Sequence, residues 1–288
     1  MNATQNAPDE TAVSTLKWVG GKRRISEQII SFFPSKFGKY YEPFFGGGSV
    51  FFKAQPKKSH LTDLNASLIN YYIQLRDNTQ GLMRQALVIQ KTFSSMSTQD
   101  ERKSLYYDVR EKFNRDSDKS SLKNAVQFLF LNKTSFNGIY RENLKGAFNV
   151  PFNNTKKLNL FQSEQLEASA RALQGATLEV ADFRDAVSKA KNGDLVYFDP
   201  PYVPLSATAS FTDYTKSEFG PESQEALRDL ALKLMAKGVF VVLSNSFSPV
   251  VKELYGDFQL HQLQVNRLVA ADKGSRGQIS EYLIVGHP

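Results

Sequence analysis

The feature that most constrains this chain is a short apolar run followed at once by a carboxylate and two prolines. Leu195–Phe198 consists of β-branched and aromatic residues and follows the turn-forming pair Asn192-Gly193, which predicts a buried strand entered from a turn. Asp199 stands at the exit of that strand, and open α/β sheets bind their ligands at this carboxyl edge. The sequence therefore predicts an α/β sheet with a ligand-binding group after this strand.

The four residues at the strand exit, Asp199, Pro200, Pro201 and Tyr202, have complementary chemistry. The two prolines keep the backbone extended, so their carbonyls are not used in a helix. A carboxylate, a stiff carbonyl and an aromatic plate suit a planar group that carries an NH2, such as the edge of adenine. A strand that ends in a Pro-Pro turn without a ligand is the alternative, and these residues alone leave it open.

Strands and helices alternate in both outer thirds of the chain, with a mostly helical, basic segment between them. This order predicts a mainly parallel α/β sheet with helices on both faces and an inserted second domain. The expected division is a flexible tail at 1–14, a sheet domain at 15–75 and 156–288, and an insert at 76–155. A polar loop at 206–219 is expected to close over a substrate, and a basic glycine loop lies at 272–277. The predicted strands are 40–42, 60–62, 177–180, 195–198, 239–243, 259–268 and 279–285.

Composition excludes several classes of protein. With 41% hydrophobic residues in 288 the chain can build a sizeable core, and it has no cysteines and only three, widely spaced histidines, so we expect no metal site. No apolar run is long enough for a bilayer, and the polar N-terminus lacks a secretory signal, so we expect a cytoplasmic protein without membrane contact. The net charge of +7 fits a polyanionic partner.

A glycine-rich loop follows a second predicted strand. Tyr40–Glu42 precedes Pro43–Ser49, which contains Gly46, Gly47 and Gly48, and such loops let a ligand approach the backbone closely. The loop lacks the Gly-Lys-Ser/Thr of a phosphate-binding loop. Asp63 ends the next strand, where nucleoside-binding folds hold a ribose. The alternative for Asp63 is an N-cap for a helix that starts at Leu64.

Two other segments combine basic, amide and aromatic side chains. In Lys17–Lys22 the single tryptophan, Trp18, is either a core anchor or the wall of an anion-binding site. From Asn132 to Asn154 asparagines, basic residues and aromatics interleave around two turn signals, Asn137-Gly138 and Lys145-Gly146. Asn and Arg suit base edges, and Lys suits phosphate, although a purely structural β-hairpin has the same turns.

Taken in order, these motifs resemble the DNA adenine methylase (Dam) family. The resemblance rests on Lys-Trp-x-Gly-Gly-Lys at 17–22, Glu-Pro-Phe-x-Gly-x-Gly-Ser at 42–49, Asp63, the hairpin and Asp-Pro-Pro-Tyr at 199–202. It runs from about Leu16 to Val285. It implies a Rossmann-like methyltransferase sheet with an inserted target-recognition domain whose DNA-reading hairpin covers about 133–155.

The resemblance also implies residue roles. Asp199, Pro200, Pro201 and Tyr202 match the catalytic motif. Positions that hold S-adenosylmethionine are matched by Trp18, Lys22, Glu42, Phe44, Gly46, Gly48, Asp63, Asp182, Phe183 and Asp199, with Asp63 on the ribose. Positions that contact DNA are matched by Lys17, Phe136, Asn137, Ile139, Arg141, Asn143 and Pro151.

Within the DNA set, Phe136 and Asn137 match residues that fill the space left by a flipped adenine. Ile139, Arg141 and Pro151 match base readers of the branch that recognises GATC. That branch has Tyr at position 136, often Leu at 139 and commonly a basic residue at 154, where this chain has Asn154.

The implied function is methyl transfer from S-adenosylmethionine to adenine N6 in double-stranded DNA, within GATC, by a monomer without a metal. An RNA adenine methyltransferase and a DNA-binding regulator that has lost catalysis are the alternatives.

Overall fold

One seven-stranded sheet organises the fold. The structure is a computed structural model that describes residues 9–202, 219–266 and 278–288. Strands β1, β2, β4 and β5 pair in parallel, whereas β7 is antiparallel to β5 and β6, and the order across the sheet is β3-β2-β1-β4-β5-β7-β6. The prediction of a mainly parallel α/β sheet is therefore confirmed. The strands are β1 (Tyr40–Glu42), β2 (Ser59–Asp63), β3 (Ala176–Val180), β4 (Leu195–Phe198), β5 (Phe240–Ser246), β6 (Gln259–Asn266) and β7 (Gln278–Gly286).

Helices fill most of the remaining described sequence. They are α1 (Ser26–Ile30), α2 (Ser49–Ala54), α3 (Ala66–Asp77), α4 (Thr79–Ser95), α5 (Gln99–Arg115), α6 (Leu122–Thr134), α7 (Ser163–Ala172), α8 (Phe183–Ala186), α9 (Pro221–Ala236) and α10 (Pro249–Leu254). Short 3-10 helices lie at Phe136–Gly138 and Leu173–Gly175. Within the described ranges, no helix has both the length and the apolar character needed to cross a bilayer.

The chain divides into two compact units. The first, called here the helical unit, comprises Met1–Arg23, Gly46–Gln55 and Asp63–Val180, and the second, the sheet unit, comprises Arg24–Phe45, Pro56–Thr62 and Ala181–Pro288. The domain boundaries expected from the sequence stay a prediction. Residues 1–8 of the expected tail, 206–218 of the expected closing loop and the loop at 272–277 lie outside the described residues.

The core of the sheet unit forms around β4 and β5. Every residue of β4 is buried, and so are Val241 and Leu243 of β5, because a parallel sheet is covered on both faces. Helix α9 begins with Pro221 at a first-turn position, where a missing N–H costs nothing. Its inward stripe includes Leu227 and Ala231, which belong to the same buried cluster as the strands.

The helical unit is built around α6. Most of its residues are buried, since helices α3, α4 and α5 all pack against it. Aromatic rings fill the contacts, as where Phe93 meets Phe130 with ring centroids 6.0 Å apart. Helix α5 starts with a complete capping box between Thr98 and Glu101, which satisfies two backbone N–H groups of its first turn.

The alternative of Asp63 as the N-cap of a helix that starts at Leu64 is wrong. Helix α3 starts at Ala66, and its N-cap is Asn65, whose side chain accepts from the Leu68 N–H. Asp63 lies before that cap and accepts the Asn65 N–H at 3.0 Å.

Candidate active site and nucleic-acid interface

The carboxyl ends of β1, β4 and β5 bring polar groups together in the sheet unit. The register pairs Tyr41 with Val196 and Phe198 with Leu243. Asp199 therefore follows β4 beside the end of β5, and Glu42 ends β1 on the other side. The structure thus gathers Glu42 and Asp199, two acidic residues predicted from separate motifs, at one edge of the sheet.

Two buried tyrosines support this edge. The Tyr40 hydroxyl donates to Glu42 Oε2 at 2.8 Å, and the Tyr197 hydroxyl lies 2.8 Å from the Ser244 Oγ. Burial, reinforced by the charges of Glu42 and Asp199, raises the pKa of both tyrosines well above its ordinary value. Both hydroxyls therefore stay protonated, and that of Tyr40 donates to Glu42.

The Asp-Pro-Pro-Tyr residues are held from two sides within the sheet unit. Gln224 Nε2 donates to the Pro201 carbonyl at 2.9 Å. The Tyr202 hydroxyl donates to Glu281 Oε2 of β7 at 2.8 Å. Asp199 is partly exposed and Pro200 is buried, so the backbone beside the carboxylate is enclosed.

Three aromatic rings pack together around Phe44 and Phe183, two residues predicted to bind the cofactor. Phe44 stacks on Phe183 with centroids 5.5 Å apart, and Phe219 meets each of these rings edge-on, at 5.4 Å and 5.6 Å. Asp182 caps α8 by accepting the Arg184 N–H and pairs with the Arg184 guanidinium at 3.1 Å. Phe183 is buried and Phe44 is partly exposed, so the rings form a packed apolar cluster next to the partly exposed Asp182.

The glycine loop in the helical unit is held by Asp63. Gly46 and Gly48 have φ values of +47° and +64°, which favour glycine. The Gly46 N–H donates to Asp63 Oδ2 at 3.0 Å, and the other carboxylate oxygen accepts the Asn65 N–H. Burial raises the pKa of Asp63, and its backbone hydrogen bonds act against that rise. A carboxylate has about four acceptor sites, so Asp63 can accept from a hydroxyl group in addition to these backbone N–H groups.

Trp18 packs directly on this loop. A Cβ at Gly46 would come within 2.6 Å of the Trp18 Nε1, so only glycine permits this approach. The indole also stacks on Tyr140, with ring centroids 6.1 Å apart and an interplanar angle of 21°. Trp18 is half-buried and lies between the glycine loop and the hairpin. Lys22 is buried, and its Nζ donates to the Gly20 carbonyl at 2.6 Å.

The segment after α6 is an irregular antiparallel hairpin. Bridges pair Ser135 with Phe152 and Glu142 with Phe148. Phe136 is 50% exposed, and Asn137 is exposed with a φ of +54°, so both residues lie at the surface of the hairpin. The chain folds this way because Asn137-Gly138 forms the turn that its sequence predicts.

The side chains of the hairpin differ in how they are used. Arg141 is exposed, and its Nε donates to Asn149 Oδ1 at 2.8 Å. Asn143 uses its side-chain oxygen inside the turn, accepting from the N–H groups of Lys145 and Ala147. Ile139 is partly exposed and Pro151 is exposed, with the Pro151 carbonyl accepting from the Phe136 N–H.

Lys17 is attached to the base of the hairpin through Asn132. The Asn132 Oδ1 accepts the Lys17 N–H at 2.9 Å, and its Nδ2 donates to the Lys17 carbonyl at 2.7 Å. The aliphatic part of Lys17 lies against Gly138, where an added Cβ would come within 2.5 Å of the Lys17 Cδ. Lys17 is exposed and is thus held against Gly138 at the base of the hairpin.

Sequence reasoning missed several residues that hold the predicted ones. Gln224 lies on the same helical stripe as Leu227 and Ala231, so a polar residue on an apolar face was a usable signal. Asn149 lies only eight residues from its partner Arg141, in the hairpin segment, whereas the other missed residues have partners that are distant in sequence. The missed residues are Gln224, Asn245, Glu281, Asn132 and Asn149. In the part of the chain that the structure describes, no three acidic or histidine side chains group in a way that suits a metal ion.

Comparison with known proteins matches nearly the whole chain. The family model described as "D12 class N6 adenine-specific DNA methyltransferase" matches residues 18–269. The chain is 38% identical over 275 residues to "Type II methyltransferase M1.LlaDCHI" of Lactococcus lactis subsp. cremoris, covering 94% of both chains. It is 35% identical to "Type II methyltransferase M.MjaIII" of Methanocaldococcus jannaschii, covering 94% of this chain and 98% of that protein. It is 34% identical over 275 residues to "DNA adenine methylase" of Escherichia coli (strain K12), covering 95% of both.

Proposed function

The chain belongs to the D12 class of N6 adenine-specific DNA methyltransferases, and we propose that it methylates the adenine of GATC in duplex DNA after flipping that base out of the helix. The observation that carries the proposal is Asp-Pro-Pro-Tyr at the carboxyl edge of β4, with its backbone and its tyrosine both held in place. This arrangement matches what adenine N6 requires.

Adenine N6 is a poor nucleophile because its lone pair is delocalised into the ring. Asp199 and the Pro200 carbonyl accept its two N–H bonds, which favours a more tetrahedral nitrogen with the lone pair aimed at the donor methyl. The N6–CH3 bond forms as the CH3–S bond breaks and its electron pair stays on sulfur, and one N6 proton then leaves to solvent. The rate gain comes from positioning and electrostatics.

S-adenosylmethionine supplies a methyl group already activated by its sulfonium. The residues present fit it: the Asp63 carboxylate beside the glycine loop suits a ribose hydroxyl, and the partly exposed Phe44 offers an apolar ring with the buried Phe183 stacked against it. We assign the remaining cofactor contacts to Trp18, Lys22, Glu42, Gly46, Gly48 and Asp182. Asp63→Ala is expected to weaken cofactor binding, and an unchanged calorimetric affinity would remove the ribose role.

The hairpin is proposed to read the DNA. Arg141 presents a guanidinium suited to guanine O6 and N7, and Lys17 lies against Gly138 at the hairpin base. Phe136 and Asn137 face solvent, as residues must if they replace a flipped base, an extrusion that costs a few kcal/mol. Ile139 and Pro151 complete the proposed base contacts, and Asn143 holds the turn that carries them.

Methyl transfer from labelled S-adenosylmethionine to two duplexes tests the proposal. One duplex contains a single GATC and the other has GTTC at the same place. We expect label on the GATC duplex alone. Equal label on both would keep the chemistry and reject the GATC assignment. Label on a matching RNA but on neither duplex would make the protein an RNA methyltransferase.

A further inference from the structure

A chain of buried amides ends on the backbone of the Asp-Pro-Pro-Tyr motif. Gln224 of α9 donates from Nε2 to the Pro201 carbonyl at 2.9 Å, and its Oε1 accepts from Asn245 Nδ2 of β5 at 3.1 Å. Asn245 Oδ1 accepts the Ser246 N–H at 2.8 Å. Gln224 is 1% exposed and Asn245 is 0% exposed, so neither side chain is at the surface.

The backbone N–H of Ser246 fixes which atoms donate and which accept in this series of hydrogen bonds. A backbone N–H can only donate, so the atom of Asn245 that faces Ser246 must be oxygen. The Asn245 nitrogen then faces Gln224, which requires the Gln224 oxygen there and leaves the Gln224 nitrogen for Pro201. Each amide therefore has one orientation, and the last one presents a donor to the Pro201 carbonyl.

The hydrogen bond from Gln224 to the Pro201 carbonyl restricts the backbone conformation of the Asp-Pro-Pro-Tyr motif. The strand register holds Phe198 against Leu243 on one side of Asp199. Proline rings restrict φ at positions 200 and 201, but rotation about ψ remains, and the hydrogen bond from Gln224 limits it. With both ends held, the Asp199 backbone and the Pro200 carbonyl keep a fixed direction.

We infer that Gln224, oriented by Asn245, is a positioning residue that aims Asp199 and the Pro200 carbonyl at the target amine. This inference rests on the proposed function, because it assumes that these two groups hold adenine N6. A group that aims acceptors affects the chemical step, whereas a purely structural residue affects folding. The two roles therefore differ in their kinetic signature.

Gln224→Glu tests this role because its side chain can donate a hydrogen bond only when it is protonated, so the effect should depend on pH. An ionised glutamate has no proton for the Pro201 carbonyl, but a protonated one donates in place of the amide, and burial raises a carboxyl pKa toward neutrality. We expect the kcat of this variant to be at least about tenfold below wild type near pH 8 and to recover relative to wild type near pH 6. The KM for S-adenosylmethionine should stay within about twofold of wild type.

Three further variants complete the experiment. Gln224→Ala should lose kcat at every pH, and Asn245→Asp should lose it too, because its carboxylate turns the Gln224 amide around. Glu225→Ala, an exposed neighbour on the same helix, is the control and should match wild type. A Gln224→Glu activity that parallels wild type at all pH values, or Gln224 and Asn245 variants that all fail to fold, would overturn the inference. An inactive wild-type protein would instead reject the proposed function.

Discussion

Arg141 and Asn149 face each other across the hairpin through two hydrogen bonds. The Arg141 Nε donates to Asn149 Oδ1 at 2.8 Å, and the Asn149 N–H donates to the Arg141 carbonyl at 3.1 Å. Because Asn149 uses only the Nε, the two terminal nitrogens of the guanidinium keep the fork geometry that reads guanine.

Removing either partner should therefore relax discrimination at one base pair. We expect Arg141→Ala to lose roughly 1–3 kcal/mol of discrimination there, and Asn149→Ala to lose a smaller part of it. The measurement is kcat/KM on GATC against duplexes with one altered base pair. Asn153→Ala, an exposed asparagine of the same segment, is the matched control. An equal loss on every duplex would make Arg141 a phosphate contact instead.

Asn132 should stabilise the helical unit through Lys17. Asn132→Ala leaves the N–H and carbonyl of Lys17 without their partner, which is expected to lower the free energy of unfolding by roughly 2 kcal/mol. Asn132→Asp keeps the acceptor and loses the donor, so its loss should be intermediate. Denaturant unfolding measures both. Equal stability of the alanine variant and wild type would contradict this role.

The hydrogen bond between Tyr202 and Glu281 should appear as a coupling energy between the two residues in a double-mutant cycle. Tyr202→Phe and Glu281→Ala each remove the bond of 2.8 Å, so the double variant should lose less activity than the sum of the two. We expect a coupling energy of about 1 kcal/mol in kcat. Glu281→Gln keeps an acceptor and should remain near wild type. Additive effects in the cycle would show that the bond does not orient the ring.

Lys133 should make stability depend on alkaline pH. Burial, with Lys17 and Arg23 nearby, lowers the pKa of Lys133 from 10.5 to about 8. Between these values the unfolded chain binds more protons than the folded one, so this residue makes the free energy of unfolding rise with pH. Below about pH 8 both states are protonated and the full destabilisation is present.

Lys133→Met removes that dependence. Its stability relative to wild type should therefore be greatest at pH 7 and should fall by roughly 2 kcal/mol toward pH 10. Denaturant unfolding at several pH values measures the difference. Lys123→Met, an exposed lysine of the same helix, is the control, and its difference should not change. A constant difference for Lys133→Met would contradict the lowered pKa.

The sheet was predictable because its strands have strong local signals. Leu195–Phe198 forms β4 with the predicted bounds, and Tyr40–Glu42 forms β1 likewise. The alternative of an N-cap at Asp63 was wrong: Asn65 is the cap, and Asp63 accepts the Gly46 N–H instead. That bond depends on how the glycine loop packs against Asp63, which the local sequence around Asp63 does not specify.

The contacts of the supporting residues were not predictable for the same reason. Gln224 and Asn245 are 21 residues apart, and the Pro201 carbonyl that they serve carries no side-chain signal. Asn132 and Lys17 are 115 residues apart. Motifs identify residues whose side-chain type the reaction requires. The residues that hydrogen-bond to them depend on the tertiary structure, which brings distant parts of the sequence together.

The most direct test of the account is product analysis with wild type and Asp199→Ala. Both proteins are incubated with labelled S-adenosylmethionine and a GATC duplex, the DNA is digested to nucleosides, and binding of cofactor and duplex is measured alongside. We expect N6-methyldeoxyadenosine with wild type. We expect none with Asp199→Ala, although that variant should still bind the cofactor and the duplex. Label on another nucleoside, or turnover by Asp199→Ala at a rate near wild type, would contradict it.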